Sequence, residues 1–252
     1  MAEDALAALR VSLAEQLAGL RDAGDADAPS PALLDIAVQR FACGTGPAPQ
    51  DVYLVLPRDW EQLRHEEAGA GRPIPYWARP WPSGLALAGS LVDEPPAPSA
   101  RVLELGCGLA APSVVAARAG ASVLATDGVT DAVAFAAHNL ALNEVVADVA
   151  VVDWATHGEA LVAQGPFDVV LAADVLYTRA NVEIALRLWP RLLAAGGVLR
   201  LADPQRAGTR DFLAAARGTF SVVSQRRDEA VALHVLRPLP ARPGRPVARP
   251  GG

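Results

Sequence analysis

From residue 101 onward, short apolar runs alternate with longer segments of helical spacing. The apolar runs predict strands at 101–106, 121–127, 148–153, 167–173 and 197–202. The segments between them predict helices at 111–119, 130–142, 180–194 and 206–216. Two further apolar runs, 220–225 and 230–236, flank a charged turn and predict an antiparallel hairpin. This alternation favours an α/β fold: a doubly wound, mainly parallel seven-stranded sheet with helices on both faces and a C-terminal antiparallel hairpin.

The N-terminal part of the chain has the pattern of a helical extension. Five leucines at helical spacing predict an amphipathic helix over residues 2–21. Ser30 and Pro31 make a good N-cap and first turn, and they predict a second helix that continues to about Arg40. A further helix is expected at 84–92.

Composition narrows the class of protein. With 52% hydrophobic and 20% charged residues, the chain resembles a globular protein rather than a disordered one. No apolar run approaches the roughly 20 residues that cross a bilayer, and Glu3 and Asp4 stand where a secretory signal carries basic residues. Only two cysteines are present, which favours a cytoplasmic location. The net charge of −6 argues against a nucleic-acid partner.

The most informative segment is residues 101–112. There an apolar run ends in two closely spaced glycines, Gly106 and Gly108, and a helix follows. Such a turn lets the backbone approach a ligand closely, and the helix N-terminus offers free N–H groups. Glu104 precedes the turn, where a carboxylate suits a ligand ammonium group or a hydrogen bond within the loop. Asp127 ends the next strand and could accept hydrogen bonds from both ribose hydroxyls, which predicts a nucleoside-containing cofactor.

Asp127 has an alternative role as the N-cap of the following helix. Thr130 is the better cap, and this would leave Asp127 free for a ligand. The glycines and Ala111 also fit the dinucleotide fingerprint, so a nicotinamide-dependent oxidoreductase is the competing hypothesis. A dehydrogenase would need a proton-transfer group such as lysine or histidine. The chain contains no lysine, and no histidine is expected at the strand ends.

Two more strand ends carry polar and aromatic residues. Asp153 and Trp154 could serve an adenine, although an aspartate after a strand commonly begins a turn. The loop after Trp154 is expected to hold His157 in solvent. Asp174 follows the fourth strand, and Tyr177 comes three residues later. No group of His, Cys, Asp and Glu has the spacing of metal ligands, so no metal is expected.

Taken in this order, the motifs resemble those of a class I methyltransferase that uses S-adenosyl-L-methionine. Residues 75–88, PYWARPWPSGLALA, and residues 174–177, DVLY, are similar to the seven-β-strand protein-lysine methyltransferase family 16. Within that family they most resemble the electron-transfer-flavoprotein β-subunit lysine methyltransferase branch. The expected organisation is a helical extension and cofactor-capping segment at 1–95, a methyltransferase core at 96–236, and a disordered Pro/Arg tail at 237–252.

The resemblance implies a role for each candidate residue. The cofactor-binding candidates are Trp81, Glu104, Gly106, Cys107, Gly108, Asp127, Asp153, Trp154 and Ala173. Among them, Trp81 would lie against the cofactor and the glycine loop under its methionine part. Asp127 would hold the ribose, and the Asp153–Trp154 pair the adenine. One departure is Ala110, which stands where many relatives have a third glycine.

The resemblance also implies the reaction. Asp174 and Tyr177 are the catalytic candidates because they would border the methyl-transfer site. The expected partner is a protein that presents a lysine, whose ammonium must lose its proton before it can attack. A small-molecule amine stays open as the acceptor, and an oxidoreductase or a non-catalytic binding module are less favoured. The acceptor, the degree of methylation and the oligomeric state are not predicted.

Overall fold

The computed structural model describes residues 3–20, 29–227 and 230–240. Its helices are α1 (Glu3–Leu20), α2 (Pro31–Leu34), α3 (Trp60–Gly69), α4 (Pro82–Asp93), α5 (Ala111–Arg118), α6 (Thr130–Leu142), α7 (Trp154–Gln164), α8 (Arg179–Leu192) and α9 (Ala207–Ala216). Its strands are β1 (Ile36–Cys43), β2 (Gln50–Pro57), β3 (Arg101–Leu105), β4 (Ser122–Asp127), β5 (Asp148–Val151), β6 (Phe167–Ala173), β7 (Leu193–Asp203), β8 (Phe220–Arg226) and β9 (Ala232–Pro238). Within these residues, no helix is both long and apolar enough to cross a membrane.

Seven strands form the main sheet in the order β5-β4-β3-β6-β7-β9-β8. The strands from β3 to β7 run parallel, whereas β9 is antiparallel to both β7 and β8. Helices α5 and α6 bury one face through Val115 and Phe135, and α8 and α9 bury the other through Trp189 and Phe212. The predicted doubly wound sheet with its C-terminal hairpin is therefore confirmed, as is the first helix over its described residues.

The predicted second helix is wrong beyond its first turn. α2 ends at Leu34, and the chain then forms β1, which pairs antiparallel with β2 as a separate two-stranded sheet. The pairing places Val38 opposite Val55, and buries Ile36 and Cys43 at the two ends of β1. Because a strand gains its stability from a partner that is distant in sequence, the local capping signal at Ser30 could not reveal it.

Two smaller expectations also fail. The residues after Trp154 form α7 rather than a loop, so His157 lies on a helix whose N-cap is Asp153. Thr156 and Gly158 have low helix propensity, and this concealed the helix in the sequence. The predicted disordered tail starts too early, because Arg237 and Pro238 belong to β9. The rest of that prediction, from residue 241 onward, lies outside the described residues.

Two asparagines of α6 hold the β1–β2 hairpin against the core. Asn139 is fully buried; its Oδ1 accepts a hydrogen bond from the backbone N–H of Val55 at 2.6 Å, and its Nδ2 donates to the Leu109 carbonyl at 3.0 Å. Asn143 contacts the backbone of Tyr53: its Oδ1 accepts a hydrogen bond from the Tyr53 N–H at 3.0 Å, and its Nδ2 donates to the Tyr53 carbonyl at 2.6 Å. A single side chain, Asn139, thus connects the hairpin with the loop that precedes α5.

Asn139→Ala should lower the free energy of unfolding by about 3 kcal/mol, because it leaves buried backbone groups without partners. Denaturant titration followed by circular dichroism measures this change. Gln164→Ala, at an exposed position of α7, is the control and should stay within about 0.5 kcal/mol of the unmodified protein. Equal stabilities of the two variants would show that the asparagine does not hold the hairpin.

Candidate active site

A cavity of about 890 Å³ opens at the carboxyl ends of β3, β4, β5 and β6. Its size lies within the range of roughly 300–1,000 Å³ that is usual for ligand sites. Every candidate residue from the sequence lines it: Trp81, Glu104, Gly106, Cys107, Gly108, Asp127, Asp153, Trp154, Ala173, Asp174 and Tyr177. The structure therefore brings the candidate cofactor-binding and catalytic residues together, although their individual roles stay predictions.

The glycine loop after β3 leaves room that a side chain would fill. Gly106 has a φ of +67°, and a Cβ there would lie 2.7 Å from Cγ1 of Val175. Gly108 has a φ of +50°, and its Cβ would lie 3.2 Å from the Trp77 carbonyl oxygen. Ala110 also adopts the left-handed conformation and precedes the first turn of α5. The missing third glycine therefore leaves the loop able to form the turn.

Asp127 holds this loop with its carboxylate. Oδ2 accepts a hydrogen bond from Gly108 N at 2.9 Å, and Oδ1 accepts one from Val129 N at 3.0 Å. The prediction that Thr130 caps α6 is wrong, because the N-cap position is Val129 and Thr130 is the first helical residue. Burial raises the pKa of Asp127. A carboxylate has about four acceptor positions, so these contacts, together with one from the Gly128 N–H, leave capacity for a ribose hydroxyl.

Glu104 lies at the floor of the cavity, and only 2% of its surface is exposed. Its Oε2 accepts hydrogen bonds from the Ser113 N–H at 3.0 Å and from the Ser113 hydroxyl. Oε1 is left for a ligand. Burial raises the pKa of Glu104 to about 8, despite these two hydrogen bonds, because the ionised form loses its hydration. The side chain is thus protonated at neutral pH when no cation is nearby.

The candidate adenine subsite is built at the start of α7. Asp153 Oδ1 accepts a hydrogen bond from Ala155 N at 2.8 Å, so this carboxylate caps the helix as well as lining the cavity. The half-buried Trp154 packs edge-on against Trp189, with ring centroids 5.8 Å apart. The buried Trp189 fixes the orientation of the Trp154 indole, and this leaves the rest of the Trp154 ring to the cavity.

Tyr76 and Trp81 line the cavity, and both pack against Trp60, which is not part of the lining. Trp60, Tyr76 and Trp81 form a triangle with ring centroids 6.3–6.4 Å apart. The Arg79 guanidinium lies 4.6 Å from the Trp81 ring centroid and 5.1 Å from that of Trp60, which are cation–π distances. Trp77 lines the cavity and also packs on Phe135 in the core, with ring centroids 5.0 Å apart.

The opposite wall carries the two catalytic candidates. Asp174 directly follows β6 with a φ of +60°, and its backbone N–H donates to the Ala202 carbonyl at 3.0 Å. Tyr177 is 66% exposed at the rim. Sequence reasoning missed Arg206, whose guanidinium pairs with Asp174 at 2.6 Å. Arg206 lies after β7, some thirty residues away, and no local motif marks it.

Fold and site together indicate a class of protein: a doubly wound α/β protein with an acidic and partly aromatic cavity at its strand ends, where proteins of this architecture bind nucleoside-containing cofactors. Residues 97–231, more than half of the chain, match the family model described as a methyltransferase domain. The chain belongs to this family. Its domain is that of an S-adenosylmethionine-dependent methyltransferase, with S-adenosyl-L-methionine as the cofactor. The competing hypothesis of a nicotinamide-dependent oxidoreductase is therefore wrong.

Curated relatives have the same core. An electron transfer flavoprotein beta subunit lysine methyltransferase from Danio rerio is 32% identical over 143 residues, which are 55% of this chain and 54% of the relative. A protein of the same name from Xenopus laevis is 34% identical over 138 residues, 53% of this chain and 54% of the relative. The match spans about half the length of these relatives.

Solved structures have the same fold. The 16S rRNA N2 G1207 methyltransferase RsmC of T. thermophilus, in complex with AdoMet and guanosine, gives a TM-score of 0.58 at 18% identity over 84% of this chain and 53% of its own. A TehB-like SAM-dependent methyltransferase from Corynebacterium glutamicum gives 0.51 at 20% identity, over 71% and 96% of the two chains. At these identities the likeness supports the fold alone.

Gly106→Ala should weaken S-adenosylhomocysteine binding at least tenfold, because the added methyl group must displace Val175 in a left-handed turn. Isothermal titration calorimetry measures the affinity. Gly196→Ala is the matched control, since Gly196 is also left-handed (φ +81°) but has open space around it outside the cavity. Equal affinities of the two variants would contradict the role of the loop.

Binding of S-adenosylhomocysteine at pH 7 should release close to one proton. Glu104 has a pKa of about 8 in the free protein, and the ligand ammonium group would favour its ionised form. Calorimetry in buffers of different ionisation enthalpy measures the release. Glu104→Gln should abolish it. If the variant releases as many protons as the unmodified protein, Glu104 does not face the ammonium group.

Proposed function

We propose that this enzyme transfers a methyl group to a lysine side chain of another protein. The observation that carries the proposal is that Asp174 and Tyr177 line the same cavity as the aromatic side chains Tyr76, Trp77 and Trp81. A long alkyl chain suits the aromatic passage, and its amine would meet the carboxylate at the inner end. A second, independent support for a lysine acceptor is that the curated relatives are named lysine methyltransferases.

The residues present fit the cofactor. Asp127 would take the ribose, Glu104 the amino group, and Asp153 with Trp154 the adenine. The glycine loop would run under the methionine part, where Gly106 leaves space. When bound, S-adenosyl-L-methionine supplies a methyl group on a sulfonium, and its transfer to a neutral amine breaks the S–C bond, forms a C–N bond and leaves S-adenosylhomocysteine.

The chain itself prepares the amine. Trp81 and Tyr177 line the approach, and contact with their rings would lower the pKa of the entering amine by disfavouring its charged form. Asp174 would accept a hydrogen bond from the amine and so orient its lone pair. Burial raises the pKa of Asp174 while Arg206 lowers it.

The first acceptor to test is the β subunit of electron transfer flavoprotein, since the curated relatives carry that name. A small-molecule amine is the alternative that the same experiment separates. We also place the reaction in the cytoplasm, a proposal supported by two buried, free cysteines.

Incubation of the purified enzyme with radiolabelled S-adenosyl-L-methionine and an extract of its own cells should label protein, and hydrolysis should yield methyl-lysine. The enzyme contains no lysine, so every labelled lysine belongs to another protein. Label confined to small molecules, or to residues other than lysine, would refute the proposal.

Asp174→Asn supplies the internal control of this experiment. It should reduce methyl transfer at least a hundredfold while S-adenosylhomocysteine affinity stays within about threefold, because the side chain serves the acceptor rather than the cofactor. Asp51→Asn, in an exposed ion pair with Arg40 on the hairpin, should leave both quantities unchanged. If Asp174→Asn loses cofactor affinity instead, Asp174 belongs to the cofactor subsite.

A further inference from the structure

Arg206 contacts the ends of β6 and β7 at the wall of the cavity that carries Asp174 and Tyr177. Its Nη1 lies 2.6 Å from Asp174 Oδ1 and donates to the Asp174 carbonyl oxygen at 3.3 Å. Its backbone N–H donates to Oδ1 of the fully buried Asp203 at 2.7 Å. The guanidinium is therefore fixed at both the main chain and the side chain of Asp174.

The environment of Asp174 contains more negative than positive charge. Asp203, the last residue of β7, acts on Asp174 as a like charge, and the buried Ser83 hydroxyl adds only a neutral dipole. His234, on the neighbouring strand β9, has a pKa lowered by burial, so it is neutral at physiological pH. Arg206 is the cation that pairs with Asp174 and offsets its charge. The buried Oδ1 contacts the guanidinium as an ion pair and makes no hydrogen bond, so we expect an amine in the cavity to meet Oδ2.

This compensation matters for an amine acceptor. A lone carboxylate within about 4–6 Å would stabilise the ammonium form and raise the pKa of the amine by roughly 1–3 units. An ammonium ion has no lone pair, so tighter binding of that form slows methyl transfer. A carboxylate whose charge is already offset can still accept a hydrogen bond, yet it favours the ammonium form much less.

We propose that Arg206 is a positioning residue that holds Asp174 and offsets its charge, so that the acceptor amine docks as a neutral base rather than as an ammonium ion. The inference rests on the proposed amine acceptor. Arg206 acts through Asp174, and it needs no contact with the acceptor itself. Its removal should therefore strengthen the binding of cations and weaken catalysis at the same time.

The first test uses n-butylammonium as a probe, because it matches the end of a lysine side chain. Calorimetry at pH 8 measures its affinity for the S-adenosylhomocysteine complex. Arg206→Met should bind the probe at least tenfold more tightly than the unmodified enzyme, and Arg206→Lys should restore weak binding. Arg191→Met removes an ion pair of the same 2.6 Å length, with Glu159 on the outer surface, and should change nothing. Unchanged affinity in Arg206→Met would overturn the inference.

The second test is the pH dependence of methyl transfer to the protein acceptor. Arg206→Met should lower both KM and kcat at pH 7.5, and raise the apparent pKa in the kcat profile by at least one unit, so that activity recovers at high pH. Arg206→Lys should return the profile toward that of the unmodified enzyme. A uniform loss of kcat without a pKa shift would mean that Arg206 only stabilises the fold, and would overturn the inference.

The two tests separate this inference from the proposed function. If no lysine is ever methylated, the proposed function fails, but probe binding still decides whether Arg206 offsets the charge of Asp174. If lysine is methylated but Arg206→Met binds the probe with unchanged affinity, only the inference fails. Cofactor affinity, measured for every variant with S-adenosylhomocysteine, shows that the pocket has kept its structure.

Discussion

The active site depends on one buried carboxylate that ties two strand ends together. Asp127 receives hydrogen bonds from Gly108 after β3 and from Val129 before α6. Without the first of them, the part-buried N–H of Gly108 in the left-handed turn would lose its partner. The same side chain is the ribose candidate. The Asp127 carboxylate thus both holds the glycine turn and is the group expected to bind the ribose. The turn is therefore already formed in the protein without a ligand.

Burial raises the pKa of three acids that line the cavity, but each acid has a different partner. Glu104 is held by Ser113, Asp127 by backbone N–H groups, and Asp174 by Arg206. Neutral donors add no positive charge beside a carboxylate, so a ligand cation can still favour the ionised form of Glu104, whose pKa burial raises. The guanidinium pairs with the third. In the proposed mechanism the cavity would therefore favour positive charge at the cofactor end and a neutral amine at the acceptor end.

The sequence predicted the sheet because its central parallel strands are buried on both faces and form continuous apolar runs. The candidate site followed, since the ends of such strands meet at one edge. Features that depend on distant partners escaped prediction. The strand β1 exists because of β2, and Asp127 replaces Thr130 as the side chain that organises the start of α6. Arg206 reaches Asp174 only after β7 has paired beside β6.

The two ends of the candidate site differ in how much of them the sequence could predict. The cofactor end is made by short turns directly after strands, so a local motif contains most of its residues. The acceptor end combines the aromatic mouth from the N-terminal region with Asp174 and Arg206 from the core, elements that are far apart in the chain. The match to the methyltransferase family starts at residue 97 and leaves out Trp60, Tyr76 and Trp81. Family membership therefore indicates the cofactor, whereas the acceptor proposed here would also contact aromatic side chains that lie outside the matched residues.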